Sequence, residues 1–106
     1  MFDDTEDEPE TGWGYIASHD DAPTVIDTLL RLNPEQTYTK TELSDETGVG
    51  LKSLYLEGTL DDRVAMGFLE KRDDEGEEVL FSVANNTAVF EAAAAFDDAI
   101  VTRLDE

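Results

Sequence analysis

Between Thr37 and Leu56 the chain reads TYTKTELSDETGVGLKSLYL, and the punctuation of this stretch leaves few folds open. Thr39-Lys40-Thr41-Glu42 has the form of a capping box. The Thr39 side chain accepts from the Glu42 amide, and the Glu42 carboxylate reaches back to the Thr39 amide. The helix so started carries Leu43 inward and stops at Gly48, the residue type that turns left-handed past a helix end without steric cost. Val49 anchors the turn, and Gly50 precedes a second helix holding Leu51, Leu54, Tyr55 and Leu56. Two short helices joined this way cross steeply, and Val49 fills the angle between them.

The flanks supply the rest. Asp20, Asp21 and Pro23 open a helix running to about Asn33, with Val25, Ile26, Leu29, Leu30 and Leu32 on one broad face and Asn33-Pro34 as its stop. Gln36 to Thr39 reads as a short extended segment. After Leu56, Glu57-Gly58 interrupts the helix. Thr59 looks like a fresh cap with Asp62 at its third position, and Leu60, Val64 and Met66 or Gly67 continue an apolar face. Residues 51–67 are one helix kinked at Gly58 or two in series; the residues leave both open. Phe68–Arg72 and Glu78–Val83 read as two strands around the turn Asp73-Asp74-Glu75-Gly76. A last, long helix runs from about Asn86, its expected cap, to Leu104, with Val89, Ala93, Phe96, Ile100 and Leu104 recurring along one side.

A chain of 106 residues has room for one core. Residues 1–11 form an acidic tail expected to be disordered. Residues 12–84 make the main domain, with the apolar arm GWGYI at its start, and residues 85–106 make the C-terminal helix. There is no cysteine, hence no disulfide and no thiolate metal site. The single histidine, His19, followed by Asp20 and Asp21, is better read as part of a helix-start loop than as a ligand set. No cofactor, metal or catalytic constellation is indicated, so an enzyme is not expected. No apolar run approaches a membrane span, and the acidic start is the reverse of a basic leader, so a cytoplasmic protein is expected.

Charge adds a separate constraint. Asp and Glu number 27 against 7 Lys and Arg, for a net charge of -20. The acids are spread over every segment rather than gathered in one patch for a basic partner. In molar salt the Debye length falls to about 3 Å, self-repulsion costs little, and acids keep the surface hydrated. In this the composition resembles that of proteins from halophilic archaea. From Thr47 to Leu56 there is no acid, and Lys52 is the single base of that stretch.

The order of helix, capped short helix, glycine turn, helix, hairpin and long helix resembles the winged helix-turn-helix domains of prokaryotic transcription regulators, of the MarR, ArsR or TrmB sort. Thr39–Leu43, Gly48-Val49-Gly50 and Leu51–Leu56 match the first helix, turn and recognition helix. Met66-Gly67-Phe68-Leu69 matches the exit into the wing, Glu70–Val83 the wing itself, and the likeness spans residues 22–83. It implies a mainly α fold with a small β-hairpin and a long C-terminal helix, acting on DNA as a homodimer. Lys52 and Ser53 would then meet phosphates or a base edge, with Tyr55 and Lys40 beside them and Lys71 and Arg72 at the base of the wing. Val89, Phe90, Ala93, Phe96, Ile100 and Leu104 would form the dimer interface. A recognition helix with one lysine and a wing tip of Asp73, Asp74 and Glu75 motivate a second expectation, a winged-helix module that binds a protein partner instead of DNA.

Overall fold

Threonines and glycines set most of the helix boundaries among the described residues. The computed structural model describes residues 11–56, 58–73 and 78–106, without the Leu56 side chain. Residues 1–10 of the acidic tail, Glu57, and Asp74, Glu75 and Gly76 of the expected turn lie outside these.

Helix α1 (Gly12–Ala17) is capped by Thr11, whose hydroxyl accepts from the Gly14 amide at 2.8 Å. The GWGYI arm is therefore helical, and its Ile16 packs against the core. Helix α2 (Ala22–Leu29) carries Pro23 in its first turn, where the missing N–H costs nothing. It stops before the expected Asn33. The amides of Arg31 and Leu32 bond three residues back, to Thr28 and Leu29 at 2.9 and 3.4 Å, tightening the chain out of the α pitch.

The extended segment is strand β1 (Thr37–Tyr38). Helix α3 (Lys40–Thr47) starts on the complete capping box, with Glu42 N–H to Thr39 Oγ1 at 3.1 Å and Thr39 N–H to Glu42 Oε1 at 2.9 Å. It ends on Gly48 at φ 76°. Leu51 resumes the helix, and Lys52–Leu56 winds with the wider π pitch, a form concentrated at functional sites. Gly58, at φ 83°, then breaks the chain before helix α4 (Thr59–Met66), so residues 51–67 form two pieces. Thr59 is the first residue of α4 and not its cap. Gly58 takes that place and offers no side-chain acceptor.

Strands β2 (Leu69–Arg72) and β3 (Leu80–Val83) pair antiparallel, with Leu69 opposite Val83 and Lys71 opposite Phe81. The expected hairpin gains a third strand, because β1 adds to the far side of β3, Thr37 opposite Ser82 and Tyr38 opposite Phe81. The result is a mainly helical chain with a small three-stranded antiparallel sheet, order β1-β3-β2. Helix α5 (Ala88–Leu104) is capped by Thr87 rather than Asn86. The Thr87 hydroxyl accepts from the Phe90 amide at 3.1 Å and donates to the Gly67 carbonyl at 2.7 Å, so one residue starts α5 and fastens it to the end of α4.

The core lies between the helices and one sheet face. Val25 and Leu29 of α2, Leu43 of α3, Leu54 of the π segment, Leu60 of α4 and Phe81 of β3 are essentially removed from solvent. Helix α5 stands apart, with no fully buried residue. Its Phe90 and Ala93, expected in a dimer face, pack against the core of their own chain, Phe90 with its ring 6.1 Å from that of Phe68. Val89, Phe96, Ile100 and Leu104 are exposed, as is Val101. No helix of the described residues is long and apolar enough to cross a membrane.

Candidate nucleic-acid interface

The turn between α3 and the π segment is stitched by side chains. The Ser44 hydroxyl donates to the Val49 carbonyl at 2.7 Å, and the Val49 amide donates to Thr47 Oγ1 at 3.1 Å. Thr47 is buried, and Val49 packs half-buried against the core. Together with Gly48 these bonds fix the angle at which the second helical piece leaves the first. Leu54, fully buried, pins that piece from below. Lys52 and Tyr55 are thereby turned outward, and Ser53 is half-buried.

The sequence-derived positions divide into groups. Lys40 and Tyr55 come together: the ammonium sits 4.6 Å from the ring centre, linking the start of α3 to the π segment. Lys52 is exposed two positions past Gly50. Lys71 is held by Asp61 of α4 at 3.3 Å, so a carboxylate already answers part of its charge. Arg72 ends β2 and is exposed. Two other bases are committed elsewhere. Arg31 hydrogen-bonds Asp27 and lies 3.5 Å from Asp97 of α5. The Asp27 hydrogen bond and charge, and then the Asp97 charge, raise its pKa above the ordinary value. The other is Arg63.

Arg63 is the feature the sequence did not disclose. It lies on α4 between Leu60 and Val64 and is fully buried. Its Nε, Nη1 and Nη2 have no hydrogen-bond partner among the described residues. The guanidinium carbon stands 5.7 Å from the ring centre of Tyr15. A cation–π contact contributes about 0.5–2 kcal/mol, whereas burying an unpaired charge costs several, so the ring does not offset the burial. Arg63 lines a pocket of about 450 Å³ that also includes His19. His19 sits in the loop before α2, as expected, and is tied to its neighbours there. Its ring stacks on Tyr15 at 4.4 Å, its Nδ1–H donates to the Tyr15 carbonyl at 2.8 Å, and its Nε2 faces Asp62 at 3.9 Å. The only advance signal was a basic residue at a helical step from Leu60, which solvated arginines share.

Comparison with protein-family models, with curated proteins and with solved structures returned no match.

Proposed function

We propose that this chain is a winged helix-turn-helix DNA-binding regulator that acts as a homodimer, with its surface acids adapted to concentrated salt. The observation that carries the reading is the α3 turn. A short capped helix, a left-handed glycine and two side-chain bonds fix how the next helical piece leaves, and that piece exposes Lys52 and Tyr55. The β1-β3-β2 sheet that follows has the strand order a wing would need, with Lys71 and Arg72 along β2. Lys40, Lys52 and Arg72 are the bases to contact phosphate, with Lys71 joining them if it leaves Asp61. Helix α5, which exposes Phe96, Ile100, Val101 and Leu104, supplies the twofold contact that doubles so thin a set of bases.

Gel shift and footprinting in molar KCl test this. Sequence-selective binding is expected, lost on Lys52→Glu and weakened on Lys40→Glu. Absence of selective binding by the native chain refutes it. The second reading, a winged-helix module docking on a protein, is favoured by the Asp61–Lys71 pair, which answers a wing base with an acid. Recovery of a stoichiometric protein partner without DNA would select it. The salt adaptation predicts unfolding midpoints that rise as KCl is raised, since screening relieves self-repulsion among a net charge of -20.

A further inference from the structure

The pocket at Arg63 holds an unusual set of charges. Asp20 and Asp21 come from the loop before α2, Asp62 and Arg63 from α4, Ser53 from the π segment and Thr59 from the start of α4. Three carboxylates and a guanidinium line one space, yet none of the three hydrogen-bonds the guanidinium. Asp62, next to Arg63 in sequence, lies toward His19 instead. Adjacent residues on a helix point in different directions, so the two cannot satisfy one another across the pocket.

We propose that this pocket is a binding site for a small zwitterion of the α-amino acid class. Its carboxylate would pair with Arg63 in the bidentate manner that guanidinium favours, supported by the Ser53 and Thr59 hydroxyls. Its ammonium would face Asp20, Asp21 and Asp62. A simple anion must pass a rim of three acids, and a simple cation meets a buried guanidinium; a zwitterion answers both ends. The volume of about 450 Å³ falls inside the range of small-molecule sites, roughly 300–1,000 Å³, and leaves space for a side chain. The site goes beyond the DNA reading and stands without it. Through Ser53 it touches the helical piece that carries Lys52 and Tyr55.

The test is a chemical-shift titration of the full chain in molar KCl with glycine and L-alanine, using acetate and methylammonium as single-charge controls. Saturable shifts are expected at the amides of Ser53, Thr59 and Asp62 with the amino acids, and at least about ten-fold weaker binding of either control. Arg63→Leu should abolish the shifts while the chain stays folded, since an apolar side chain removes an uncompensated buried charge. Should that variant not fold, the half-buried Asp62 provides an independent one: Asp62→Asn should weaken glycine binding several-fold and leave acetate no weaker. Acetate binding as tightly as glycine, or no saturable shift with any probe, overturns the proposal.

Discussion

Helix α2 has eight residues and buries Ala22, Val25, Ile26 and Leu29, whereas α5 has seventeen, with a larger apolar share, and buries none. The difference is one of placement. Helix α2 touches α1 on one side and α3 on the other, so its stripe is enclosed by neighbours. Helix α5 is fastened at its start, by Thr87 on the Gly67 carbonyl and Phe90 on Phe68, and farther along by Arg31 reaching Asp97 and Trp13 reaching Phe96. The strongest helix formers, Ala92–Ala95, lie before Phe96, and beyond Asp97 come Ile100, Val101 and Thr102, β-branched residues of lower helix propensity. A helix of this length is marginal in water by itself, so the outer half of α5 depends on its anchored half or on another surface. Enclosed apolar residues report on folding; the exposed ones on α5 are those the proposed twofold contact would use.

Substitutions can break or sharpen this contrast. Leu29→Ala empties a fully enclosed site and should cost about 2–5 kcal/mol in urea unfolding; a loss below about 1 kcal/mol would mean that α2 is no better enclosed than α5. Gly48→Ala forces a side chain into φ 76° and should cost about 1–2 kcal/mol by the same measurement, with the α3 turn bonds loosened. Thr87→Ala removes the cap of α5 and its bond to Gly67 together. About 1–2 kcal/mol is expected, with faster amide exchange along α5 than along α2; equal exchange in both would show that α5 is held by something other than this hinge. Ile100→Asp should change stability in dilute solution by no more than about 0.5 kcal/mol, while light scattering in molar KCl changes from dimer to monomer mass. An unchanged mass would remove α5 from the dimer proposal. Arg31→Met should have the smallest effect, with no measurable shift of the unfolding midpoint in molar KCl, because exposed ion pairs are screened there.

What could be read from the sequence was local. The capping box, Gly48, the break at Gly58 as one of two alternatives, and the two strands of the hairpin all follow from chemistry within a few residues. What could not be read was tertiary. The extended segment at Gln36–Thr39 was legible, but its pairing as β1, with Tyr38 opposite Phe81 far along the chain, was not. The cap of α5 moved by one residue because Thr87, unlike Asn86, can also reach Gly67. The π pitch of Lys52–Leu56 has no propensity signature. The candidate site split the same way. Lys40, Lys52 and Tyr55 could be picked out by exposure and type, although the meeting of Lys40 with Tyr55 could not. Arg63 was invisible, since burial of a charged side chain is decided by what surrounds it, here α1 and the loop that holds His19.

The strand order has a consequence in time. The centre of the sheet is β3, which is also its last strand in sequence. During synthesis α1, α2, β1 and α3 leave the ribosome before β3, so Thr37 and Tyr38 emerge with no strand to pair with. The helices around α3 can gather through contacts close in sequence, but the sheet closes only when Ser82 and Phe81 arrive, and pairings over such separations are slow. Truncation before Leu80 should therefore yield a nascent chain with helical content and no protected amide at Thr37 or Tyr38. For a growing chain, closure of the sheet waits on the four residues of β3.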